Sequence, residues 1–204
     1  MKTHWVFHRY PPMVRTENFS KVPVSSAAEL REWLSIHHTQ EESVWLVTYK
    51  KAVPDKYVST GEVLDELLAF GWIDGIRRKL DEKRTMQLIS PRQAQHWSKS
   101  YKDRVARLEK EGRMAEAGRA AVARSQASGM WNFLDDVDAL LQPADLRMAL
   151  AAQPAAEQFF NALPPASMRF ALRWIKLAKS DKGRQSRIAK TVACSVAGRK
   201  VPGS

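Results

Sequence analysis

Apolar positions recur at helical spacing over Leu30, Trp33, Leu34 and His37, and again over Val63, Leu64, Leu67 and Leu68. The same period returns at Tyr101, Val105 and Leu108, and at Ala171, Trp174, Ile175 and Ala178. Each set predicts a helix with one apolar face. Ser26 with Glu29, and Ser59 with Glu62, stand at the spacing of a capping box and mark two helix starts. Gly71, Gly112, Gly129 and Gly198 stand where helices should end. Prolines open three further helical segments, 143–152, 154–163 and 165–179, and a last helix is expected over 182–197. Met114 to Ser128 is Ala-rich and reads as one more. Val44–Tyr49 is β-branched and aromatic and reads as a buried strand. Residues 73–80 and 84–89 alternate in part and are joined by Asp81-Glu82-Lys83, which predicts a hairpin that Pro91 stops. A short strand is expected within 19–24. The pattern predicts an α+β fold: a small β-sheet with helices in the N-terminal two-thirds, followed by a helical C-terminal part. Residues 1–18 lack periodicity and read as a mobile tail, 19–132 as the α+β domain with its central hairpin, and 133–204 as a basic helical region.

Charge sharpens this division. The net charge is +11, and residues 143–204 hold 11 Lys+Arg against 3 Asp+Glu. The excess is thus a C-terminal property, and it admits a polyanion as partner or a solvated helix face. Arg173, Lys176, Lys179, Arg184, Arg187 and Lys190 are the candidate polyanion-binding residues, and Arg169 is spaced to share a helix face with Arg173, Lys176 and Lys179. No apolar run reaches the roughly 20 residues of a membrane span, and the N-terminal stretch lacks the apolar core of an export signal. A cytoplasmic protein is expected. Cys194 is the sole cysteine, so no internal disulfide forms, and it reads as an inert thiol. The acidic run Asp135, Asp136 and Asp138 reads as a link that caps the next helix.

The chemistry concentrates between Phe70 and Ser98. Here Trp, Asp, Arg and Ser fall at the ends of predicted elements, where a rigid scaffold carries functional loops. Lys50 and Lys51 leave the strand 44–49. With Arg92 and Arg104 they offer donors to an anion, Trp72 and Trp97 offer apolar walls, and Asp74 and Ser98 complete the candidate ligand site. The alternative is a corner in which Arg92 pairs with Asp74 and the tryptophans are core. Asp74 is the sole acid of this stretch's central words. It reads as a turn carboxylate or as a general base. No nucleophile elbow, phosphate loop, dinucleotide turn or zinc-protease motif is present, and the five histidines lack ligand spacing, so no catalytic residue, metal or cofactor is assigned.

Several words in order carry a resemblance: V-W-L-V-x-Y-K-K at 44–51, F-G-W-I-D-G at 70–75, S-P-R at 90–92, G-R-M-x-x-A-G at 112–118 and R-W-I-x-x-A-K at 173–179. Over about residues 19–198 the chain resembles the bacteriocin-protection, YdeI/OmpD-associated family of bacteria. The basic word that follows 179 is only partly kept, in Arg184, Arg187 and Ile188. The resemblance implies a role in antimicrobial or stress tolerance. Together with the candidate residues it leads to the expectation of a non-catalytic protein that binds a small anionic ligand or a protein partner. The alternatives are a nucleic-acid binder using the basic C-terminal helices, and an enzyme of unknown reaction with Asp74 as acid or base.

Overall fold

In the computed structural model residues 18–202 are described, and they group into two compact units. The first takes the described residues up to Gln93 together with Glu111–Ala120. The second takes Ala94–Lys110 and the described residues from Ala121 onward. The sequence reading divides the chain at 132–133, whereas these units interleave. The expected tail over 1–18 falls, apart from Asn18, outside the described residues.

The first unit is α+β. Strands β1 (Lys21–Pro23), β2 (Val44–Tyr49), β3 (Trp72–Lys79) and β4 (Arg84–Pro91) form one sheet in the order β1-β2-β4-β3. β1 runs parallel to β2, and the other pairs are antiparallel. Helix α1 (Ala27–His37) joins β1 to β2, and α2 (Thr60–Ala69) joins β2 to the hairpin. Ser59 and Glu62 form the full capping box of α2. At α1 the arrangement is shifted by one residue. The Ser26 hydroxyl accepts from the Glu29 N–H at 3.1 Å, but the Glu29 carboxylate takes the N–H and hydroxyl of Ser25, each at 2.7 Å. Gly71 closes α2 at φ 73°, a conformation that favours glycine, and its N–H reaches the Leu68 carbonyl at 3.1 Å. Leu30, Leu34, Leu67, Leu68, Leu46 and Ile89 are buried and build this core.

The expected hairpin is present. β3 and β4 pair with Trp72 opposite Pro91 and Asp74 opposite Ile89, with a bulge between Asp74 and Arg77. Asp81 organises the turn by accepting from the backbone N–H groups of Lys83 and Arg84. Pro91 is the last strand residue, and the Arg92 N–H bonds to the Gly71 carbonyl at 2.9 Å.

The second unit is helical. It holds α3 (Lys99–Lys110), the later part of α4 (Glu116–Ala127), and α5 (Asp135–Asp138). Then come α6 (Ala144–Ala151), α7 (Pro154–Asn161), α8 (Pro165–Lys176) and α9 (Asp181–Val196). Its core collects Leu134, Leu146, Leu150, Phe160, Leu172 and Ile175. Two elements differ from the sequence reading beyond a shift of one or two residues at their ends. α8 stops at Lys176 instead of reaching 179, because Ser180 is extended and its hydroxyl caps α9 by accepting from the Gly183 N–H at 3.1 Å. The acidic run is not a link but the one-turn helix α5.

Candidate anion-binding pocket

The walls of one cavity of the second unit are held by the acidic helix α5. The Lys99 N–H, at the start of α3, donates to Asp138 Oδ2 at 2.8 Å. Lys102, one turn further along α3, pairs with Asp135. Lys176, at the end of α8, donates to Asp136 Oδ1 at 2.6 Å and lies over the Phe133 ring. Three acids one turn long therefore tie α3 and α8 to the same short helix. Burial alone would raise the Asp136 carboxyl. The hydrogen bond from Lys176, the Val137 N–H and the Lys176 charge outweigh it and hold the group below its ordinary range.

Between these walls lies a cavity of about 570 Å³, within the usual size of small-molecule sites. Ser98, Lys99, Ser100 and Asp103 line it from the start of α3, and Val137 and Asp138 from α5. Ala166, Arg169, Phe170 and Arg173 line it from α8. Arg169 and Arg173 stand one turn apart on the helix face opposite the buried Ala171, Leu172 and Ile175. Arg173 Nη2 lies 2.9 Å from His96 Nε2, within hydrogen-bond reach. Neither arginine has a carboxylate partner among the described residues. The carboxylates of the lining, by contrast, are engaged. Lys99 Nζ reaches both Asp103 oxygens at 2.8 and 2.7 Å, and Asp138 takes the Lys99 N–H.

The predicted ligand residues fall in both units. In the first, Lys50 Nζ donates to the carbonyls of Asp81 and Glu82 at 2.8 and 3.0 Å and so closes the hairpin turn. Lys51 is exposed and sits 6.0 Å from the Tyr57 ring. Trp72 is fully buried, edge-on to Trp33. Asp74 accepts from Gln87 Nε2 at 3.2 Å, and Arg92 is 2% exposed. The hairpin brings Trp72 and Arg92 to one end. In the second unit, Trp97 is fully buried against Trp131, and Ser98 begins the pocket, its hydroxyl 3.0 Å from that of Ser100. Arg104 lies on α3, half-buried.

The basic C-terminal residues are spent unevenly. Lys176 is held by Asp136. Arg184 makes a two-pronged bond to Asp145 at 2.6 and 2.9 Å. Arg187 lies over the Trp174 ring and donates to the Trp174 carbonyl. Lys179 lies past the end of α8, and Lys190 is exposed on α9. Of the predicted set, Arg173 alone lines the pocket. The sequence reading placed Arg169 on that face but did not count it a site residue, and it did not foresee Asp103, Asp138 or Phe170. The four-residue spacing of Arg169 and Arg173 was the available signal. Nothing in the chain announces that α5 folds against α3.

Fold and site together define an α+β protein with a cationic pocket in its helical unit. Residues 141–198 match the family described as Bacteriocin-protection, YdeI or OmpD-Associated, which supports the resemblance in the C-terminal part of the chain. Over 22–121, where the sequence reading extended the same resemblance, the match is to a Domain of unknown function (DUF8412). No curated protein and no solved structure matches the chain. Among the described residues no helix is long and apolar enough to cross a membrane, and no group of His, Cys, Asp and Glu is arranged to hold a metal ion.

Proposed function

We propose that the protein binds a small anionic ligand, without transforming it, in the pocket between α3, α5 and α8. The observation that carries this reading is the pair Arg169 and Arg173. They stand one turn apart, line one cavity and have no carboxylate partner among the described residues. Two guanidiniums so placed can share one carboxylate or phosphate through charge-assisted hydrogen bonds. The reading as a binder is supported by the state of the lining carboxylates. Asp103 is paired with Lys99, and Asp138 accepts the Lys99 N–H. The family matched by residues 141–198 is described by bacteriocin protection, which supports placing this binding in antimicrobial tolerance.

A thermal-shift screen against small carboxylates and phosphates, followed by calorimetry on each hit, tests this. Arg169→Ala and Arg173→Ala should each weaken a hit at least tenfold while melting within a few degrees of the wild type. A hit whose affinity survives both substitutions would remove the pocket as the site, and the absence of any hit would remove the reading itself.

A further inference from the structure

Resting on that reading of the pocket, we infer that its ligand is an amphiphile with a single anionic head: one carboxylate or phosphate on an apolar ring or short chain. The lining is divided. The α8 side brings Arg169 and Arg173, and the same helix brings Ala166 and the half-buried Phe170. Leu134 and Val137 add further apolar surface. The α3 and α5 side brings Asp103, paired with Lys99, and Asp138. A head group between the two guanidiniums therefore has apolar surface beside it, and burying a ring or chain there removes both surfaces from water. A second anionic group fares badly. It must share the same two arginines, compete with Asp103 for Lys99, or face Asp138, and like charges brought together disfavour the complex.

The surroundings support the same restriction. An extended polyanion needs a track of available cations. Beyond Arg173 the next cation on that face of α8, Lys176, is held by Asp136 and Phe133. Arg184 is held by Asp145, and Arg187 by the Trp174 carbonyl. The site is therefore suited to one anionic head with an apolar body, not to a chain of phosphates.

Four probes test the inference on the full chain by calorimetry: inorganic phosphate, phenyl phosphate, 4-phenylbutyrate and a single-stranded DNA 12-mer. Phenyl phosphate and 4-phenylbutyrate should each bind at least tenfold more tightly than inorganic phosphate. Phe170→Ala should remove most of that advantage. Phe170→Leu, which keeps more of the packing, should lose a smaller part and serves where the alanine variant melts early. Arg169→Ala should weaken every small anion alike. Equal affinity for phosphate and phenyl phosphate, with Arg169→Ala still damaging, would overturn the amphipathic ligand and keep the anion site. The 12-mer binding more tightly than either amphiphile would overturn it in favour of a polyanion. Small-anion binding indifferent to both Arg169→Ala and Arg173→Ala would overturn the site as well.

Discussion

Glu66 of α2 accepts a hydrogen bond from Arg113 Nη2 at 2.6 Å, across 47 positions of the chain. Arg31 of α1 donates to the other oxygen at 2.8 Å. The carboxylate is only 4% exposed, whereas the two arginines are each well over a third exposed. Glu66 is therefore the buried centre of the triad, and its hydrogen bond is the main cause that raises the Arg113 guanidinium. It fastens the segment before α4 to the two helices that cover the sheet. Glu66→Gln keeps the shape and removes the charge, and should cost roughly 1.5–3 kcal/mol, the range for hydrogen bonds to charged groups. The exposed arginines can rehydrate, which keeps the loss below that of a fully buried pair. Urea unfolding measures it. A double cycle with Arg113→Ala should show strong coupling, and additive losses would count against the triad.

Gly118 makes a second tie in the same place. A Cβ built there would lie 2.2 Å from the Ala69 carbonyl oxygen and 2.7 Å from its carbon. The same carbonyl already accepts the Ala115 N–H at 3.0 Å. Alanine is the better helix former by about 1 kcal/mol, so Gly118→Ala would stabilise an open helix. Here backbone blocks the methyl group and cannot rotate away. Overpacking of roughly 1–3 kcal/mol should outweigh the propensity gain and leave the variant less stable. Chemical denaturation of Gly118→Ala gives the sign directly, and a stabilised variant would refute the close approach.

What could be read from the chain and what could not divides along local and non-local causes. Ser59 with Glu62, Gly71, and the run Val44–Tyr49 state their roles within a few residues, and the structure has them so. The hairpin was legible for the same reason. α5 was not. Its end is marked by Leu140 at φ 59°, a position where a glycine would have signalled the turn. Its acids look like a cap until Lys99, Lys102 and Lys176 are brought to them from other helices. The pocket shares that blindness. Arg169 and Arg173 advertise one face by spacing, but the opposite wall depends on a contact between segments about 39 residues apart. The parallel pairing of β1 with β2 has no local signature either.

Acid should loosen the helical unit in a defined window. The two-pronged bond from Arg184, first among the causes, holds the Asp145 carboxyl below its ordinary range, and Asp136 is also held low. A carboxyl lowered in the folded state gives stability that is present above its unfolded pKa of about 4. That stability is lost as pH falls through the lower folded value. Asp145 and Arg184 are each partly solvated, so the pair should contribute no more than about 1 kcal/mol. Asp145→Asn should therefore be slightly less stable than the wild type at pH 7. The gap should close as pH drops from about 5 toward 2, in melting curves recorded at each pH. A gap that stays constant or widens on acidification would contradict the assignment.

Arg92 decides between a structural corner and a ligand group for the hairpin end. At 2% exposure Arg92 is closed off from solvent. Its own backbone is fixed as well, through the bond from its N–H to the Gly71 carbonyl at the end of α2. Both facts favour the structural role. Arg92→Ala removes a large buried side chain, a change that should cost roughly 2–5 kcal/mol. Arg92→Lys keeps the charge but not the planar fork of donors, so it should recover only part of the loss. Thermal unfolding of both variants separates the roles. Large losses in both, with the calorimetric affinity of small anions unchanged in the lysine variant, make Arg92 a support of the fold. A lysine variant that melts like the wild type but loses anion binding would return Arg92 to the ligand site.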